Sequence, residues 1–156
     1  MHANAILLDR LFSSLNNRDY EAMGRCYHDN ASFRDIAFDL KGRQRIRSMW
    51  HMISQGDIRV TYEVVAADDH GGLVRLVAEY TFSDTGRRVR NPIESRFRFA
   101  EGKIVAQSDA CDPRAWAAMA LGGFAGYIAG RVRFFRSWKA HRKLRRFMQE
   151  HGSQGS

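Results

Sequence analysis

The sequence has only two cysteines, Cys26 and Cys111, in 156 residues, and neither has a second Cys or a His at zinc-ligand spacing. A disulfide framework is excluded, no metal site is expected, and a reducing, cytoplasmic compartment fits this usage best. No stretch reaches roughly 18 consecutive apolar residues. The N-terminal MHANAILLDR has neither a basic leader nor a long apolar core followed by small residues, so no membrane span and no secretory signal are expected. Acidic residues are scarce at one end. After Gly130 there are eight Lys and Arg against the single acid Glu150, a net of +7, whereas the preceding residues hold 17 basic and 16 acidic groups, a net of +1. The overall charge of +8 is therefore a property of the tail.

What is present is enough apolar material for one core: 44% apolar and 12% aromatic residues, at a length typical of one domain. Ile6, Leu7, Leu8, Leu11, Phe12 and Leu15 repeat at three and four residues and predict an amphipathic helix over 4–17. Asp19 is the expected N-cap of a second, short helix with Tyr20, Met23, Cys26 and Tyr27 on its buried side. A strand is expected over Ala31–Phe38, a turn at Lys41-Gly42, and a third helix over Arg43–Ser54 with Ile46, Met49, Trp50 and Ile53 inward. From Ile58 the period becomes two. Strands are expected over Ile58–Ala66 and Val74–Phe82, the latter after the Gly71-Gly72 turn. Two more are expected over Val89–Phe99 and, past Glu101-Gly102, from Lys103 to about Cys111. Pro92 has no N–H to give a ladder, so an edge, a bulge or a strand start is expected there. The expected fold class is α+β: a curved antiparallel sheet with one apolar face covered by three N-terminal helices, followed by a helical tail.

The tail interleaves Arg131, Arg133, Arg136, Lys139, Arg142, Lys143, Arg145 and Arg146 with Phe134, Phe135, Trp138, Leu144, Phe147 and Met148, an amphipathic pattern with an aromatic stripe. Two readings are open: a helix laid on its own domain with a solvated basic face, or a membrane-surface contact through 131–148. No nucleic-acid motif accompanies it, and no nucleic acid is expected as partner. Ala115–Gly130 is uncharged but interrupted by glycines, and is expected to act as a lid or partner surface. The expected division is 1–114 as a cone domain, 115–150 as a helical basic extension and 151–156 as a disordered end.

The order helix, helix, strand, helix, then four antiparallel strands resembles the nuclear transport factor 2-like superfamily, which includes ketosteroid isomerase and the SnoaL-like cyclases. The likeness is carried by Leu15-Asn16 with Asp19, Tyr27-His28-Asp29-Asn30-Ala31-Ser32-Phe33 leading to Asp35, Lys41-Gly42-Arg43, and Phe97-Arg98-Phe99 followed by Gly102-Lys103-Ile104-Val105. It spans about Ala3 to Leu121 and implies a cone-shaped, cystatin-like roll that often dimerises through its outer sheet face. Asp35 matches the base of ketosteroid isomerase, while Leu11 and Ser95 stand where that enzyme has its oxyanion-stabilising tyrosine and second acid. That departure argues against steroid-type isomerisation. Asp109 resembles the base of the SnoaL-like cyclases.

Asp35 and Asp109 are thus the candidate catalytic pair, two carboxyls in an apolar cone with raised proton affinity. Trp50, Tyr80, Ser95, Gln107 and Cys111 are the candidate orienting or substrate-binding groups. Other readings stay open: a salt bridge from Asp35 to a nearby arginine, and Ile104, Ala106, Ser108 and Ala110 rather than Gln107 and Asp109 as the inward set. The resemblance implies a pocket for a small hydrophobic carbonyl compound and cofactor-free proton transfer (isomerase, cyclase or dehydratase). The alternatives are a non-catalytic binding or dimeric assembly domain and a peripheral lipid-handling protein.

Overall fold

The computed structural model describes residues 1–122 and 133–151. Its elements are α1 (Ala3–Asn16), α2 (Tyr20–Arg25), β1 (Tyr27–Arg34), β2 (Asp39–Lys41), α3 (Arg43–Ser54), β3 (Arg59–Ala67), β4 (Gly71–Phe82), β5 (Arg87–Ala100), β6 (Lys103–Ala110), α4 (Pro113–Leu121) and α5 (Arg133–His151). The six strands form one curved sheet in the order β2-β1-β6-β5-β4-β3.

α1 buries Leu8, Leu11, Phe12 and Leu15 against the concave side of this sheet. Each fully buried side chain of this size contributes roughly 1.5–3 kcal/mol. Ile6, expected on the same stripe, is 46% exposed. At the end of α1 the Asn16 side chain behaves like a strand residue. Its Nδ2 donates to the Val60 carbonyl at 2.9 Å and its Oδ1 accepts from the Val60 N–H at 2.8 Å, which ties α1 to β3. Asp19 caps α2 by accepting from Ala22 N–H at 3.0 Å, as its residue type predicts.

The expected strand boundaries need correction at β1. Tyr27 opens this strand rather than closing α2, and the strand ends at Arg34. The residues up to Phe38 turn instead, because Asp35 Oδ1 accepts from the N–H groups of Ala37 at 2.8 Å and Phe38 at 2.6 Å. An aspartate that bonds the backbone two and three residues on offers the chain a turn in place of a ladder. β1 also pairs in parallel with β6, so the sheet is antiparallel except at this one junction.

Pro92 lies in β5, which is a central strand, yet its position behaves as an edge. β6 pairs β5 only from Glu94 onward, whereas β4 pairs it from Arg87 to Arg98. Over the unpaired stretch α4 takes the place of a strand. Val89 packs with Trp116, Ala117 and Ala120, and the Arg90 N–H donates to Met119 Sδ at 3.4 Å. Pro92 shares the parity of Arg90, so its missing N–H leaves no ladder bond unmade. Glu101 and Gly102 (φ 56° and 71°) form the two-residue β5–β6 hairpin, a turn that needs left-handed backbone at both positions. Gly72 is more than a turn residue. A Cβ there would stand 2.9 Å from Leu8 and 3.2 Å from Phe99, so its lack of side chain lets α1 sit directly on β4.

The outer face of the sheet is charged and paired within itself, with Arg75 and Arg96 on Glu94 and Arg90 on Glu79. On α5, Leu144 is buried in the main core and Ala140 and Met148 pack against it. Phe147 and His151 meet His51 of α3, and the His141 ring lies edge-on to Phe38. The far half of the basic tail is thus laid on its own domain, with Arg142, Arg145 and Arg146 outward. Residues 123–132 and 152–156, and the side chains of Phe134, Phe135 and Trp138, lie outside the described residues, so the lid expected for 123–130, the disordered end and the front of the aromatic stripe do too. No described helix is long and apolar enough to cross a membrane.

Candidate functional site

The cone encloses a cavity of about 460 Å³ whose wall is mostly apolar. Phe12 and Leu15 of α1, Phe33 of β1, Trp50 and Ile53 of α3 and Leu76 of β4 form its sides. α4 and α5 supply Trp116, Ala140 and Lys143 near the mouth. Polar groups enter this wall at few points, and Asp35 and Asp109 are two of them.

A β-bulge decides which residues of β6 face inward. The β5–β6 register slips between Arg98/Phe99 and Ala106/Ile104, so Ile104 is buried and, after the slip, Gln107 and Asp109 are the inward residues. A single extra residue reverses the alternation, which is why both parities read plausibly in the sequence.

Asp109 stands opposite Ser95 in the ladder. Its Oδ1 accepts from the Ser95 hydroxyl and from Gln107 Nε2 at 3.1 Å. Gln107 Nε2 also donates to Ser95 Oγ at 3.2 Å, and Gln107 Oε1 accepts from the Tyr27 hydroxyl at 2.5 Å. Tyr27 in turn accepts from Trp50 Nε1 at 3.1 Å. The network has one direction: indole N–H to phenol, phenol to amide oxygen, amide nitrogen to carboxylate. Every donor is used toward Asp109 Oδ1, and Oδ2 makes no hydrogen bond among the described residues. Surrounding protein strips water from the carboxyl and pushes its pKa up to about 7. The Ser95 and Gln107 donors act the other way, and the charge of Asp35 adds to the rise.

The expected site residues separate into two groups. Asp35, Asp109, Trp50, Tyr80 and Cys111 line the cavity. Ser95 and Gln107, expected as orienting or lining groups, are buried and stand behind Asp109, orienting it. Asp35 is half-buried, with its Oδ1 holding the turn at 35–38, so its charge reaches Asp109 through space. Tyr80 lies toward the other end, where its hydroxyl accepts from Trp116 Nε1 at 2.6 Å. Burial lifts the Tyr80 phenol above its ordinary pKa, which keeps it protonated. The remaining charges of the lining are matched: Lys143 donates to Asp84 at 2.5 Å and Arg88 to Asp57 at 2.9 Å.

Two residues of this site were missed in the sequence. Tyr27, read as a helix residue, is the hinge of the network. Asn91, only 5% exposed, lines the cavity from β5. The signal for Asn91 was legible: it is the one amide in the inward series Val89, Asn91, Ile93. Cys26 is buried away from the cavity, and desolvation pushes its thiol up to about 11, so it is no nucleophile at neutral pH. Among the described residues no group of three or more His, Cys, Asp or Glu is placed to share a metal ion.

Known proteins place this architecture. An LEH-like epoxide hydrolase of Mycobacterium tuberculosis superposes with a TM-score of 0.63 at 16% identity, over 82% of this chain and 96% of that one. A putative polyketide cyclase of a Silicibacter species gives 0.68 at 15% identity, over 76% and 95%. A Catenulispora acidiphila protein with a ketosteroid isomerase-like fold gives 0.64 at 14% identity, over 73% and 91%. At such identities the likeness is one of fold. Among curated proteins no sequence matches. Residues 8–107, from α1 to the Gln107 that holds Asp109, match the SnoaL-like domain family, and the chain belongs to that family within the nuclear transport factor 2-like superfamily.

Proposed function

We propose that the protein is an acid/base enzyme acting on a small, uncharged, hydrophobic carbonyl compound, with Asp109 as the group that takes and returns the proton. The observation that carries this reading is the Asp109 carboxyl. One oxygen is fixed by Ser95 and Gln107, the other is unbonded among the described residues, and desolvation sets its proton affinity near neutral pH. A base works best when its pKa lies near the operating pH, since it must be ionised to accept the proton and then be able to give it back.

In such a reaction Oδ2 accepts a proton from the carbon beside the carbonyl, and the C–H electron pair moves into the enolate. Where the enolate is conjugated with a C=C bond, Asp109 returns the proton to the remote carbon, which is isomerisation; where it attacks a second carbonyl, a C–C bond forms and the resulting alkoxide takes the proton back from Asp109, which is cyclisation. Asp35 raises the proton affinity of Asp109 through its charge. The one cationic residue among the described lining, Lys143, is bonded to Asp84, so an anionic ligand finds no charge partner there. Solved structures of like fold, described as a putative polyketide cyclase and as an epoxide hydrolase/cyclase-like enzyme of pyran ring formation, support small-molecule chemistry in this kind of cone.

The test is deuterium exchange. Hydrophobic ketones incubated with the protein in D2O should lose their α-proton NMR signals, and Asp109→Asn should abolish that loss. Exchange that persists in the variant sinks the assignment.

A further inference from the structure

We infer that Asn91 is a second polar anchor of the cavity, and that its ligand carries two hydrogen-bonding groups at opposite ends of an apolar body. This rests on the cone being a ligand pocket, as proposed above, and adds what shape and polarity the ligand has.

Asn91 is 5% exposed and belongs to the cavity wall, yet its side chain has no hydrogen-bond partner among the described residues. A carboxamide carries two donors and an acceptor, and here they face the cavity with no described protein group taking them up. The other buried amides of the chain are used: Asn4 donates to the Asp68 carbonyl and Gln107 joins Tyr27 to Asp109. No neighbour of Asn91 bonds its amide: Tyr80, diagonal to it on β4, accepts from Trp116 instead. Ala78 stands opposite it on β4, and Leu76 and Ile93 follow toward the interior. An apolar residue there would pack against the same wall, so the amide is explained by a group that arrives from the cavity.

Position fixes the length of the ligand. Asn91 and Ser95 lie on the same face of β5, four residues or about 13 Å apart, and Asp109 stands opposite Ser95. Between them the wall is Ile93, Leu76 and, just past β6, Cys111. A molecule with its reactive carbonyl at Asp109 therefore reaches Asn91 only with its far end, across an apolar middle. Because the amide both donates and accepts, that far group is a neutral hydroxyl or carbonyl.

Two rigid probes separate the possibilities: biphenyl-4,4′-diol, with a hydroxyl at each end, and biphenyl-4-ol, with one. Trp50 and Trp116 in the wall report binding by fluorescence. The wild-type protein should bind the diol tighter, on the order of fivefold for one hydrogen bond. Asn91→Leu should bring the two affinities together, since it removes the amide that faces the cavity; Asn91→Ala, which also has no hydrogen-bonding group, gives the same binding comparison if the leucine is not accommodated. A diol preference that survives both variants, or equal wild-type affinities, overturns the role of Asn91 and leaves the pocket reading standing. Failure of both probes to bind the wild-type protein removes the pocket reading, and this inference with it.

Discussion

The Tyr27 hydroxyl donates to Gln107 Oε1 at 2.5 Å, and this bond decides which way the Gln107 amide points. Trp50 Nε1 occupies the phenol from the other side, so the Tyr27 proton goes to the amide oxygen, and Gln107 Nε2 is left facing Ser95 and Asp109. A residue at the start of β1 thereby aims one of the donors that hold down the pKa of a carboxyl near the end of β6 against the larger effect of burial.

Tyr27→Phe should strand Trp50 Nε1 and Gln107 Oε1 without partners, a loss of about 1–3 kcal/mol. It should also free the amide to turn, so that Asp109 loses a donor and its pKa moves further up from about 7. Carboxyl NMR titration reads this directly. If Asp109 titrates unchanged in the variant, Tyr27 does not orient Gln107.

Asp109 makes stability fall as pH rises. Folding lifts its pKa from 3.8 to about 7, so the folded state binds the proton more tightly. Its contribution is complete below the unfolded value and is lost as pH climbs to the folded one. Asp57 and Asp68, whose pKa values hydrogen bonds from Thr81 and from Gly71 and His70 lower, act in the opposite sense at acid pH. Asp109→Asn keeps an acceptor for Ser95 and Gln107 but cannot ionise. Above pH 7 it should be more stable than the wild type by roughly 1–3 kcal/mol, an advantage that shrinks toward pH 4. Melting curves with the same offset at every pH would contradict this.

Gly72→Ala should destabilise the protein by about 1–3 kcal/mol. The new methyl meets Leu8 and Phe99, which are themselves held in the core. Gly86→Ala, where a Cβ meets no atom within 4 Å but φ is 72°, tests backbone strain alone. Because Gly72 has no positive φ, an unchanged melting temperature in Gly72→Ala would mean that contact with α1 is not what selects this glycine.

Acid should loosen α5. His51 stacks on Tyr20 at 3.9 Å and meets Phe147 at 4.8 Å and His151 at 5.3 Å. Burial, then His151 and Arg47, lower its pKa below 6.5, with Glu21 opposing. The docked helix thus disfavours the His51 proton, and docking weakens as pH falls below about 6.5. Leu144→Ala should weaken the same contact at neutral pH by about 2–5 kcal/mol. Hydrogen exchange in 140–151 should rise in both cases; protection that stays constant from pH 7.5 to 5.5 would count against the histidine contact.

The sequence exposed the parts of this molecule that follow from local pattern. α3 begins and ends where Arg43 and Ser54 predicted, and the hairpin at Glu101-Gly102 follows from its turn residues. Where long-range pairing overrode pattern, the reading slipped. Tyr27 looks helical beside Met23 and Cys26, but Ile104 of β6 pairs with it in the sheet. The inward set of β6 depends on a bulge whose cause lies in the pairing with β5, so periodicity left it open. The carboxyls were found as isolated residues. Ser95, Gln107 and Trp50 stand among the expected orienting or lining groups, but Tyr27, which joins Trp50 to Gln107 across 80 residues, does not.

β5 continues past the end of β6, and α4 covers the strand it leaves bare. The two ends of the cone are therefore built under different rules. At the Asp109 end each residue is tied into ladder pairing and polar contacts, and a change propagates. At the Arg87–Ile93 end the wall is a helix leaning on a strand through Trp116, Ala117 and Ala120. That end can therefore change shape by substitutions on α4 alone, leaving the strand pairing around Asp109 as it is.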